Sequence, residues 1–212
     1  MSDVSSNDQI ENEDLNELVI EYLATTNKKT IVNLTHHAFF SLQGTADPTP
    51  GIEDQICEIN ADFYLPTDDT AIPTGEILKV DNTPFDFRQP KTFGKEINAD
   101  NEQIKFGHGY DHNYVLNKRE EGELSFAAKI TEPKSGRTLE CFTTEPGMQL
   151  YTANFASGYK GANGCTFPYR SAVCLETQHF PDTPNRPYFP SVILRPGQTY
   201  KHKTIYRFGV VE

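Results

Sequence analysis

The chain predicts an all-β fold, two antiparallel sheets packed face to face, and three observations lead there. From Leu18 onward apolar residues recur mostly with a period of two rather than 3.6. Pro-Gly and Ser-Gly pairs punctuate these runs at turn positions. No amphipathic stretch is long enough for a substantial helix. The 212 residues suffice for one domain with a sizeable core and would crowd two.

The first segment is the exception to this patterning. Residues 1–16 are polar and acidic, with Asp3, Asp8, Glu11, Glu13 and Asp14 among few aliphatic residues. Too little apolar surface is available there to offset the cost of ordering, so a flexible acidic tail is expected, with the β-sandwich running from 17 to 212. Leu18, Ile20 and Tyr22 share one face of a first strand, and Thr30–Thr35 is its expected partner. From Pro48 to Lys105 come long connections rich in Pro, Asp, Thr and Gly, with short strand-like pieces such as Gln55–Ile59. Long loops on a sandwich are where binding residues concentrate. Leu124, Phe126, Ala128 and Ile130 then alternate with Glu123, Ser125, Ala127 and Lys129. Further strands are expected over Arg137–Thr143, Met148–Phe155, Ala172–Thr177, Val192–Leu194 and Tyr200–Phe208. Lys134-Ser135-Gly136 reads as a hairpin tip, and Pro146-Gly147 and Pro196-Gly197 as turns.

Composition narrows the function. A formal net charge of -11 and a pI near 5.0 argue against a nucleic-acid surface, which normally carries a basic face. No apolar run approaches the roughly 20 residues of a membrane-spanning helix, so no membrane partner is expected. Met1–Ser6 has neither a basic start nor an apolar core, and no signal peptide is expected. Cys57, Cys141, Cys165 and Cys174 form no C-x-x-C pair and several lie in apolar contexts, which suits reduced, buried thiols in a cytoplasmic protein; the alternative is a disulfide between two of them.

Three segments carry candidate chemistry: Asn33-Leu34-Thr35-His36-His37-Ala38-Phe39-Phe40, Gly109-Tyr110-Asp111-His112-Asn113-Tyr114 and Cys174-Leu175-Glu176-Thr177-Gln178-His179-Phe180-Pro181-Asp182. Each sets an acid or imidazole among aromatic and amide side chains. Aromatic faces rimmed by hydrogen-bonding groups suit a sugar ring, and a carboxylate with an imidazole beside it can move protons on that sugar. Neighbouring strand residues face opposite ways, so only one of His36 and His37 can enter a given pocket; the other reading of either is a satisfied structural histidine. Asp111 is open to three roles: binding hydroxyls, holding a metal or capping a turn. Glu176 ends the apolar run Val173-Cys174-Leu175, where partial desolvation lifts a carboxyl toward the range of a general base; the alternative is an exposed strand-end carboxylate. His36, His37, His108, His112 and His179 invite a metal reading, but no H-x-H spacing presets two ligands on one strand face, and no metal is expected. Gly-rich phosphate loops, the G-x-S-x-G elbow and the dinucleotide fingerprint are absent from the sequence.

At these motifs, from about Leu18 to the C-terminus, the chain resembles the aldose 1-epimerase family. Further landmarks are Val32–His37, Ala61–Pro66, Ile72–Glu76, Pro84–Arg88, Ser135–Arg137, Glu145–Gln149 and Tyr151–Phe155. The resemblance implies a large antiparallel β-sandwich that interconverts the α and β anomers of free hexoses such as galactose and glucose, without a cofactor. By motif, Glu176 matches the general base that takes the proton of the C1 hydroxyl, and His37 matches the general acid that protonates the ring oxygen. The ring opens, the C1–C2 bond rotates, and closure on the other carbonyl face yields the opposite anomer. Asp111 matches a residue that hydrogen-bonds sugar hydroxyls, and Gln178, Asn33 and Phe39 are expected beside it as further substrate contacts. Proximity of His37 lowers the Glu176 pKa while desolvation raises it, and the sequence leaves that balance open.

The chain departs from the family pattern at its start. The family carries a Gly-Arg-x-x-Asn-Arg-type and a Leu-His-Gly-Gly-type motif in a portion preceding the counterpart of Leu18–Ala24, and neither occurs in the 212 residues. His36 stands where the family has Asn, Ala38-Phe39 replaces a more polar pair ending in Tyr, and Ser41 replaces Asn. Strands without their neighbours leave edges to cover. The expected partners are therefore a second copy of the chain, or a complementary chain carrying the N-terminal half. Two other classes stay open at this point: a carbohydrate-binding protein without catalysis, and an interaction module.

Overall fold

Period-two patterning becomes strands throughout the computed structural model, which describes residues 10–12, 15–44, 50–161 and 164–211. In chain order the first are β1 (Ile10–Asn12), β2 (Glu17–Ala24), β3 (Thr30–Ile31), β4 (Ile56–Ile59), β5 (Ala61–Tyr64), β6 (Leu78–Lys79) and β7 (Lys91–Thr92). A six-residue helix, α1 (Glu102–Gly107), precedes β8 (Asp111–Leu116), β9 (Ser125–Thr131), β10 (Arg137–Thr143) and β11 (Gly147–Tyr151). The chain continues through β12 (Tyr159–Lys160), β13 (Thr166–Phe167), β14 (Cys174–Gln178), β15 (Ile193–Leu194) and β16 (Tyr200–Val210).

Two antiparallel sheets form the body. One has the order β1-β2-β16-β10-β9-β4-β7 and the other β14-β11-β8-β5-β6. Ile20, Ile59, Ile130, Leu139 and Tyr206 of the first meet Tyr114, Met148, Leu150 and Leu175 of the second in one continuous core. Each such side chain contributes roughly 1.5–3 kcal/mol when fully buried. The Tyr206 hydroxyl donates to the Leu175 carbonyl at 2.6 Å, pinning β14 to the opposite sheet one residue before Glu176. All four cysteines are buried. Among the described residues no helix is long and apolar enough to cross a membrane.

Four expectations are corrected in detail. Ile10–Asn12, inside the segment expected to be a flexible tail, pairs antiparallel with Glu17–Val19, because the outer edge of β2 offers unpaired backbone groups; residues 1–9, 13 and 14 lie outside the described residues. Thr30–Thr35 does not pair with β2, whose two edges are taken by β1 and β16; Thr30–Ile31 pairs instead with Ile193–Leu194. The alternation from Leu124 to Ile130 breaks at Ala127. Cys141 lies opposite Ala128 and Phe142 opposite Phe126, so Ala127 is the extra residue of a β-bulge. Phe126 consequently meets Phe142, 5.9 Å away between ring centroids, and Ala127 and Ala128 are both buried. Finally, Gly147 opens β11 rather than forming the turn, and the bend spans Thr144–Pro146.

Candidate active site

Three neighbouring strands, β8, β11 and β14, build the floor of a cleft, and their registers place its side chains. Asp111, Tyr151 and Cys174 form one row across the sheet, Asn113, Gln149 and Glu176 the next, and Val115, Gly147 and Gln178 a third. Strand alternation sends the intervening rows, His112–Leu150–Leu175 and Tyr114–Met148–Thr177, to the other face. Gly147 leaves the third row open: a Cβ there would stand 2.9 Å from both Asn113 Nδ2 and Phe180 Cδ1. The cleft has a volume of about 390 Å³, within the range of small-molecule sites.

His37 and Phe39 arrive from the irregular segment after β3. Phe40 and Val173 exchange backbone hydrogen bonds of 2.9 Å, which fastens that segment to the start of β14. Alternation about this bridge turns His37 and Phe39 to the cleft, while His36 and Phe40 face Tyr206, with ring centroids 6.0 and 4.9 Å away. His37 Nε2 lies 3.3 Å from Glu176 Oε1. Half of the His37 side chain is exposed, against one-tenth of Glu176's. Glu176 is thus no exposed strand-end carboxylate.

Burial decides its titration. Desolvation lifts the Glu176 carboxyl from 4.5 to about 7; His37 beside it pulls the other way, and the Asp111 carboxylate adds to the rise. The balance left open by the sequence therefore falls to desolvation, and the carboxyl sits near neutrality, where a general base works best. Asp111 is raised as well, chiefly by burial, with the Gln149 amide and His37 opposing. Gln149 Nε2 donates to Asp111 Oδ1 at 2.7 Å, so this carboxylate is held by a neighbouring strand rather than capping a turn. His112, on the core face, donates its Nε2–H to Gln103 Oε1 3.1 Å away, and burial lowers it to about 3. It is a neutral core residue. The same Gln103 holds the backbone of Thr67, on the far wall of the cleft, through hydrogen bonds of 2.7 and 2.9 Å.

The cleft brings together Glu176, His37, Asp111, Gln178 and Phe39. Gln178 Nε2 donates to Asn113 Oδ1 at 3.3 Å, and the Phe39 ring stands 5.0 Å from that of His37. Asn33, expected as a substrate contact, is elsewhere. Its side chain donates to the His179 carbonyl and accepts from the His179 N–H, both at 3.0 Å, a backbone clamp reaching across 146 residues. Replacing Asn33 by Ala is expected to cost about 1 kcal/mol, lowering Tm by about 2–4 °C while leaving sugar affinity unchanged. Thermal melts and binding titrations of the variant check this; a loss of affinity at unchanged Tm would restore Asn33 to the site. Gln149, Tyr151 and Phe155 line the cleft without having been singled out as binding residues. The available signal was the alternation of β11, which sets Gln149 and Tyr151 opposite the buried Met148 and Leu150.

Known proteins of one family resemble the chain in sequence and in structure. The aldose 1-epimerase family model matches residues 11–207. Galactose mutarotases of Mus musculus and Homo sapiens are each 46% identical over 195 residues, covering 92% of this chain and 54% of theirs. The aldose 1-epimerase of Haemophilus influenzae is 34% identical over 196 residues, 91% of this chain and 56% of that protein. Among solved structures, the GalM/aldose epimerase homologue from C. elegans superposes with a TM-score of 0.81 at 33% identity, over 94% of this chain and 57% of that one. Galactose 1-epimerase from Lactobacillus acidophilus gives 0.78 at 28% identity, over 93% and 55%. The chain thus spans just over half the length of the relatives it matches.

Proposed function

Because the chain belongs to the aldose 1-epimerase family, we propose that it interconverts the α and β anomers of free aldohexoses by acid–base opening and closure of the ring. The observation that carries this reading is the buried Glu176 carboxyl 3.3 Å from the His37 imidazole, on the floor of a sugar-sized cleft. Glu176 takes the proton of the C1 hydroxyl while His37 protonates the ring oxygen, and the C1–ring oxygen bond breaks to the open-chain aldehyde. Rotation about C1–C2 presents the other carbonyl face, and the same two groups reverse their roles as the ring closes. Assistance of this kind is worth about 10²–10⁴-fold. Asp111, fixed by Gln149, accepts hydrogen bonds from sugar hydroxyls, Gln178 contributes a further polar contact, and the rings of Phe39 and Tyr151 cover apolar sugar faces. A reducing, cytoplasmic setting belongs to the same reading, supported by four buried cysteines.

The pH profile tests it. A base must be ionised to act, so kcat is expected to rise with pH through the Glu176 titration near 7. Polarimetry of fresh α-D-galactose or α-D-glucose between about pH 5 and 8, corrected for buffer catalysis, measures this directly. A protein-dependent rate that is flat across that range would remove Glu176 from the role of base.

A further inference from the structure

Beside the acid–base pair lies a third donor that no step above uses. Cys174 precedes Glu176 by two residues on β14, so its Sγ and the Glu176 carboxylate share one face of the strand. Ligand atoms of His37, Cys174 and Glu176 all lie within 4.8 Å of one another. Two of them already have the spacing of metal ligands. Zn–N and Zn–O bonds of about 2.0–2.2 Å at a tetrahedral angle separate their donor atoms by about 3.3–3.5 Å, and His37 Nε2 and Glu176 Oε1 are 3.3 Å apart. A Zn–S bond of about 2.3 Å asks for roughly 3.6 Å to the thiolate, a displacement of about 1 Å. His37, half exposed and outside any strand, can shift to admit an ion to the buried sulfur.

We propose that the cleft binds one Zn²⁺ through His37 Nε2, Cys174 Sγ and Glu176 Oε1, and that this ion reversibly blocks the acid–base pair. The donor set of thiolate, imidazole and one carboxylate oxygen suits a borderline-soft cation over Mg²⁺ or Ca²⁺, which prefer all-oxygen sites. As the Zn–S bond forms, the thiol S–H bond breaks and its proton leaves to buffer; no electrons move. The fourth tetrahedral position faces the cleft and is filled by water or a sugar hydroxyl. The ion occupies the carboxylate oxygen that takes the C1 proton and the nitrogen that serves the ring oxygen. A search for histidine spacing cannot find this site, since its ligands come from a loop and a strand about 140 residues apart.

Binding stands independently of the proposed activity, whereas inhibition rests on it, and the two are measured separately. Co²⁺ added to the chelator-treated full chain is expected to give a thiolate-to-metal charge-transfer band saturating at one equivalent. The band should vanish in Cys174→Ser and persist in Cys57→Ser; Cys174→Ala replaces the serine variant if that one does not fold. Absence of the band, or its persistence without Cys174, overturns the proposal whether or not the protein turns over sugar. In the mutarotation assay, Zn²⁺ is expected to abolish the protein-dependent rate, EDTA to restore it and Mg²⁺ to have no effect. Loss of even an outer partner of a metal site costs about 10–100-fold, so Cys174→Ser should raise the half-inhibiting Zn²⁺ concentration at least ~10-fold, each protein being measured against its own zinc-free rate. Equal inhibition of wild type and Cys174→Ser overturns the proposal.

Discussion

Glu176→Gln is expected to lower kcat by about 10²–10⁴-fold and, above neutral pH, to raise the melting temperature. Both effects come from one cause. The folded protein holds the Glu176 proton up to about 7, against an ordinary 4.5, because burial disfavours the carboxylate. A raised folded pKa means that this group's contribution to stability is fully present below pH 4.5 and is lost as pH rises through 7. Gln has nearly the same shape and no charge, so it escapes that loss. The gain in Tm over wild type should therefore be largest near pH 8 and disappear near pH 4. Circular-dichroism melts at the two values measure it. A variant less stable than wild type at pH 8 would mean that the attraction of His37 for the carboxylate outweighs desolvation in this cleft.

His37→Asn is expected to lower kcat by about 10²-fold or more with little change in KM. In the proposed mechanism the imidazole meets the substrate at the ring oxygen, where the hydrogen bond strengthens as the C1 bond breaks. Its contribution therefore appears in the transition state more than in the ground state. Phe39 and Tyr151, which flank the His37 ring at 5.0 and 5.9 Å, are unchanged in the variant and keep their proposed contacts with the sugar. Steady-state kinetics separates the alternatives: equal losses in kcat/KM and in affinity, with kcat preserved, would make His37 a binding residue only.

What could be read before the structure was what local chemistry encodes. Period-two patterning delivered most strands of the two sheets, since an alternating face is buried whichever neighbour covers it. The split between His36 and His37 followed from the same alternation, and the bridge from Phe40 to Val173 preserves it outside any named strand. What stayed hidden depends on distant partners. Asn33 looked like a sugar contact because its match, the His179 backbone, lies 146 residues away. The bulge at Ala127 left no signature, since one alanine replaces another on the buried face. Gln149 acquired a role only when Asp111 and Glu176 were registered on either side of β11. At Glu176 the apolar run before it signalled desolvation, but the balance against His37 could not be read, because it depends on how much water the folded cleft removes.

The central claim is that Glu176 and His37 accelerate anomer exchange. Polarimetry of freshly dissolved α-D-galactose at about pH 8, with the wild-type chain and Glu176→Gln side by side and both shown to be folded, addresses it most directly. The account predicts relaxation proportional to wild-type concentration and a rate near that of buffer alone for the variant. A folded wild type that leaves the sugar at the buffer rate, or a variant as fast as wild type, would contradict it.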